Sequence, residues 1–220
     1  MISEFKFYSE LNFFLKNKES FVVFKKPSHN KIVCHQGDVI STQMDGINNN
    51  KGFLFMPFDL NEHGYFLIPK ITTETKFHLQ VNNNKIHEVS TKDFSSKKNS
   101  YIKFINETID NINSSELEKV VCSSVFNVKL NSKSYIEYFK KLIQLNHDAF
   151  CYLFYHPETG IWIGASPEKL INLNNDVVTT YALAATKKEM NQSWMDKEFR
   201  EQKIVEEQIV TDLDRGCTNI

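Results

Sequence analysis

The chain has 220 residues with 26 basic and 27 acidic side chains, a formal net charge of −1, and is 41% hydrophobic and 13% aromatic. Those values exclude disorder as the overall state, which requires low hydrophobicity and high net charge. They also exclude an electrostatic footprint for nucleic acid or an anionic membrane, so neither partner is expected.

The opening stretch MISEFKFYSELNFFLKN carries acidic and polar residues inside its apolar run, which argues against a signal peptide. No segment reaches the apolar length needed to span a membrane, and a cytoplasmic protein is expected. Within that stretch Ile2, Phe5, Tyr8, Leu11, Phe14 and Leu15 recur at amphipathic helical spacing. Phe21 to Pro27 reads as a short strand that ends at proline. Residues 43–51 are polar, Asn-rich and expected to be a loop. Gly52 to Asp59 and Tyr65 to Lys70 are apolar runs around a turn-forming LNEHG, which predicts a buried hairpin. Residues 72–100 are polar and read as a linker.

Beyond it, Tyr101, Phe104, Ile105, Ile109 and Ile112 predict a helix, and Leu117 to Leu130, rich in β-branched residues, predicts a central strand. Ser132 is the expected N-cap of a helix displaying Tyr135, Ile136, Phe139, Leu142 and Ile143. Then come a strand, a turn at Pro157 to Gly160, a second strand, and two more strands around Asn174-Asn175. A charged amphipathic helix follows from Trp194 to Leu213. Cys34, Cys122, Cys151 and Cys217 are scattered without C-x-x-C spacing, so reduced thiols are expected rather than a disulfide framework or zinc ribbon. Hairpins outnumber strand–helix–strand units. The expected fold class is α+β, with mostly antiparallel sheet layers flanked by helices.

Three places suit chemistry. Lys119 opens an otherwise apolar strand; alone it reads as an edge lysine, but in a low-dielectric cleft a lysine loses its proton near neutrality and becomes a general base. Gly164 to Pro167 forms a tight turn that aims Glu168, which alone reads as a solvated turn carboxylate. A Gly-x-Ser-x-Gly nucleophile elbow is excluded, because Glu168 replaces its last glycine. Glu198 and Glu201 are three apart and share one helical face, alone a charged solvent face. Hard oxygen donors of this sort suit magnesium. There is no Walker loop, no Gly-x-Gly-x-x-Gly and no H-E-x-x-H, and the histidines, including His35 beside Cys34, lack ligand spacing.

Together and in order, KVVCSS, GIWIGASPEKL, YALAATK and W-x-x-KEFREQ-x-x-V-x-x-Q-I resemble the chorismate-binding enzyme family. That family includes isochorismate, salicylate, anthranilate and aminodeoxychorismate synthases. Upstream, FVVFKKP and GFLFMPFD...YFLIPK also resemble bacterial isochorismate synthases, so the resemblance covers nearly the whole chain. Lys119 stands where the water-adding members carry lysine and anthranilate synthases carry glutamine. Ala184 stands where aminodeoxychorismate synthases carry a nucleophilic lysine, and Leu183 also follows the water-adding habit.

The resemblance implies a magnesium-dependent isochorismate synthase acting on chorismate, as a monomer, in menaquinone or siderophore biosynthesis. Lys119 is the implied base that activates water and Glu168 the acid that protonates the departing hydroxyl. Ala185 and Thr186 contact substrate, and Glu201 binds the metal directly with Glu198 beside it. Salicylate synthase is the alternative within the class, and an inactive chorismate-binding fragment the alternative outside it. The implied organisation is 1–100 as the N-terminal part of the fold, 101–213 as the first half of the catalytic domain, and 214–220 as an atypical tail.

Departures from the resemblance are Ala185 at a family glycine and Gln202 at a frequent histidine. The resembling enzymes also continue past DRGCTNI with a C-terminal part. The isolated chain is therefore expected to be poorly soluble or partly folded, and without appreciable turnover.

Overall fold

The first helix, α1 (Glu4–Lys16), is capped by Ser3, whose hydroxyl accepts from the Lys6 amide at 3.4 Å. Its buried face is Phe7, Tyr8, Leu11 and Phe14, one stripe at positions i, i+1, i+4 and i+7. Phe5, expected on that face, lies off the stripe and is 84% exposed; Phe7 takes the inward place. The computed structural model describes residues 1–43, 51–59, 61–80, 92–128, 134–187, 189 and 191–217, with 92–96 as backbone alone. Most of the Asn-rich segment expected to be a loop, and Ser132, lie outside the described residues.

After α1 come β1 (Phe21–Lys25), β2 (Lys31–Thr42), β3 (Phe53–Phe55) and β4 (Gly64–Lys76), then α2 (Lys92–Ser114) and α3 (Tyr135–Leu145). They are followed by β5 (Phe150–His156), β6 (Gly160–Ser166), the short pair β7 (Asn172–Asn174) and β8 (Val177–Thr179), and α4 (Asp196–Asp214). The fold is α+β. Its six-stranded sheet has the order β3-β4-β2-β1-β5-β6, and every pairing is antiparallel. The expected hairpins formed: β3 pairs with β4 with Phe53 opposite Leu67, and β5 pairs with β6 through the Pro157–Gly160 turn. At that turn Gly160 adopts φ +73°, which costs glycine nothing. The stretch read as a linker from residue 72 is strand up to Lys76 and helix again from Lys92. The N-cap of α3 is Ser134, whose hydroxyl accepts from Glu137 N at 3.4 Å.

The chain divides into two compact units, each assembled from two separated stretches. The first unit comprises Met1–Asn82 and Leu130–Glu168. Its strand β1 is buried on both faces. Phe21 and Val23 join Phe7, Leu11, Phe14, Ile136, Phe139 and Ile143 in a core between the sheet and helices α1 and α3. Val22 and Phe24 face the opposite way, into a second core with Leu67 and Phe154. On that side the sheet curls until Phe55 of β3 lies 4.9 Å from Phe154 and 5.4 Å from Trp162 of edge strand β6. Each fully buried side chain of this size contributes about 1.5–3 kcal/mol. Lys25 is buried too. Its ammonium donates to His147 O at 2.5 Å and Lys26 O at 3.3 Å and sits 4.9 Å from the Phe77 ring centre, so the charge keeps partners as burial lowers its pKa.

His35 on β2 hydrogen-bonds the Thr72 hydroxyl through Nδ1 at 2.9 Å and lies 5.3 Å from the Phe24 ring, a structural role. Burial lowers its pKa; Glu74 opposes that shift and Lys26 reinforces it. The unfolded chain therefore takes up this proton more readily than the fold as pH drops below the usual 6.5. Stability is full above that pH and is lost as pH falls towards the folded value. Urea unfolding at pH 7.5 and 5.5 is expected to show this loss, and His35→Gln to reduce the difference.

The second unit comprises Asn83–Lys129 and Lys169–Ile220. The central strand expected over Leu117 to Leu130 does not form across the described residues 117–128. β-Branched residues favour an extended backbone, but a strand exists only where a neighbour supplies the ladder, and no described segment pairs with this one. Val121 and Val125 are 83% and 79% exposed. Every fully buried hydrophobic side chain among the described residues belongs to the first unit.

Candidate active site

Lys119 is half-buried in the extended 117–128 segment and makes no hydrogen bond or ion pair with another described residue. The preceding residue, Glu118, pairs with Arg200 of α4 at 3.7 Å. Arg200 sits between Glu198 and Glu201 in sequence, so this ion pair brings the Lys119 segment up to the turn of α4 that carries both carboxylates. The pair is exposed and worth at most about 1 kcal/mol, which makes it a marker of proximity rather than a source of stability.

Helix α4 begins after Met195, a residue without a side-chain oxygen to cap it. Glu198 fills that role by reaching back, its Oε2 accepting from Met195 N at 2.8 Å. Glu201 Oε1 lies 3.5 Å from Lys197 Nζ. Each carboxylate thus has one oxygen engaged locally and one without a partner among the described residues. Two hard oxygens on one helical face fit a magnesium ion that takes its remaining positions from water and substrate. Among the described residues, no group of three or more His, Cys, Asp or Glu side chains is arranged to hold a metal.

Ala185 stands in the left-handed region at φ +62°, with Ala185 and Thr186 both exposed in the loop before α4. The concern raised by alanine at this family glycine is real in geometric terms. A Cβ in the left-handed region costs ~1–2 kcal/mol, partly offset by the stiffer unfolded chain that alanine has relative to glycine. Ala185→Gly is expected to raise stability by about 0.5–1 kcal/mol, read as a higher urea midpoint. The same loop is tied by Lys187, whose ammonium lies 4.9 Å from the Trp194 ring centre and donates to Gln192 O at 3.2 Å.

Glu168 belongs to the first unit, as its last residue. It is exposed just past β6, and its backbone carbonyl accepts from the Ser166 hydroxyl at 2.9 Å. Lys119, Ala185, Thr186, Glu198 and Glu201 all lie in the second unit. The sequence reading missed Arg200 and Glu118 as the link between base segment and metal helix, although both adjoin residues it singled out.

A family model described as chorismate binding enzyme matches residues 66–220. The chain belongs to the chorismate-binding enzyme family. No curated protein and no solved structure matches it. The family match starts in β4 and includes all six candidate site residues, Lys119, Glu168, Ala185, Thr186, Glu198 and Glu201. Chorismate is thereby the expected small-molecule substrate. Among the described residues, no helix is long and apolar enough to cross a membrane.

Proposed function

We propose that this chorismate-binding enzyme acts as an isochorismate synthase, moving the ring hydroxyl by adding water at carbon 2 and expelling the hydroxyl at carbon 4. The observation that carries this reading is the Glu118–Arg200 pair, which joins the Lys119 segment to the turn bearing Glu198 and Glu201. A base segment tied to the helix turn that bears two carboxylates suits a dianionic substrate held through a cation.

In this mechanism Lys119, in its neutral form, takes a proton from water as the oxygen attacks carbon 2. The double bonds shift, and Glu168, protonated, gives its proton to the hydroxyl leaving carbon 4 as water. Glu201 and Glu198 would hold magnesium, which when bound supplies positive charge to orient the substrate carboxylate. Atoms balance: one water enters and one leaves, so the product is an isomer. Ala184 offers no amine, which supports water rather than an enzyme lysine as the nucleophile. Each proton transfer contributes roughly 10²–10⁴-fold.

A second reading is a chorismate-binding unit without turnover. It is favoured by the lack of fully buried hydrophobic side chains among the described residues of the second unit, where most of the candidate site lies. Incubation with chorismate, in magnesium and in excess chelator, with products separated by chromatography, distinguishes the readings. Isochorismate that disappears with chelator would establish the synthase reading. Salicylate and pyruvate would make the enzyme a salicylate synthase. Bound but unchanged chorismate would establish the second reading.

A further inference from the structure

The second unit contains a groove of about 500 Å³ between α2 and the extended 117–128 segment, with no candidate site residue in its lining among the described residues. Two cross-ties hold its walls. Lys97 of α2 donates to Val125 O at 2.8 Å and lies 5.4 Å from the Phe126 ring centre. Cys122 Sγ lies 3.8 Å from the Thr108 hydroxyl. Among the described residues its lining includes no carboxylate. It does include Lys98 and the hydroxyls of Ser123 and Ser124, none of which makes a hydrogen bond or ion pair with another described residue. The aromatic part of the lining comes from Tyr101 and Phe126.

A concave surface with spare donors, a net positive lining and two rings selects for an anion that also has a flat apolar body. Phosphate alone would leave the rings unused, and an uncharged ring would leave the ammonium unused. We propose that this groove binds a small aromatic carboxylate, with the ring against Tyr101 and Phe126 and the carboxylate received by Lys98 and the serine hydroxyls. A charge-assisted contact to the ammonium supplies most of the selectivity for the anion. The site is separate from the chemistry assigned to Lys119, whose side chain does not line the groove, and it stands whether or not the chain turns over chorismate.

Benzoate is the probe, titrated against the 220-residue chain by NMR, with benzyl alcohol and inorganic phosphate as controls. Benzoate is expected to shift the Tyr101 and Phe126 ring signals, and each control to bind at least about tenfold more weakly. Lys98→Ala should weaken benzoate about tenfold, Lys98→Arg should retain it, and Lys119→Ala should leave it unchanged. Lys98 is exposed, so its replacement does not threaten folding. The proposal is overturned if benzoate does not bind, or if benzyl alcohol or phosphate binds as well as benzoate. Benzoate affinity that survives Lys98→Ala would also overturn it.

Discussion

Lys119→Ala is expected to lower chorismate turnover by roughly 10²–10⁴-fold, the contribution of a general base. The loss should appear in kcat, with chorismate binding largely kept, because the proposed role of Lys119 is to take a proton from water rather than to hold the substrate. Lys119→Arg should be as inactive as alanine, since a guanidinium stays protonated and accepts nothing. That comparison separates proton transfer from simple positive charge. The side chain makes no hydrogen bond or ion pair with another described residue, so its removal leaves the local structure without an orphaned partner. Steady-state rates of the two variants within twofold of the parent would reject the assignment.

Phe139→Ala is expected to destabilise the first unit by about 3–5 kcal/mol. The ring is fully buried on α3, in the core that Phe7, Leu11, Phe21 and Leu153 also fill. Removing it forfeits the transfer free energy of the ring and leaves a cavity between helices and sheet that close packing closes only in part. Against a typical total of about 5–15 kcal/mol, a loss of that size shifts the urea midpoint substantially. Phe13→Ala provides the contrast. Its ring lies on the outer face of α1, 58% exposed, and its removal should change stability by less than about 0.5 kcal/mol. Equal effects at the two positions would mean that the core is not where the structure puts it.

Several elements were legible because their signals are local. The β5–β6 hairpin announced itself through Pro157 to Gly160 between two apolar runs, and the β3–β4 hairpin through its intervening turn. Helix α4 was readable from its charged amphipathic pattern. Strand β2 was not read, because KIVCHQGDVIST mixes polar residues into its apolar alternation and breaks it at glycine. Its register shifts between Gln36 and Gly37, and a Cβ at Gly37 would lie 2.0 Å from Ile68 O, so the backbone of β4 allows only glycine there. The burial of Lys25 was not legible either: His147 O and the Phe77 ring, distant in sequence, give its ammonium a buried place.

At the candidate site, the residue types and their order were readable: a lysine at the start of an apolar run, Glu168 after a tight turn, and two glutamates three apart on a helix. So was the oddity of alanine at position 185, which the structure finds at positive φ. The capping of α4 by Glu198 through the Met195 amide was not anticipated, nor was the Glu118–Arg200 pair, which links residues far apart in the chain.

By itself the sequence determined the α+β class, the hairpins, the helical stripes and the membership of the chorismate-binding family, all of which depend on residue spacing along the chain. Only the tertiary structure decided that 117–128 is extended without being a strand, that Lys25 and His35 are desolvated, and that the segment carrying Lys119 meets α4. The reason is physical. Periodicity and turn chemistry are set by near neighbours, whereas a ladder partner, a buried charge and a two-element site each depend on groups brought together from distant parts of the chain.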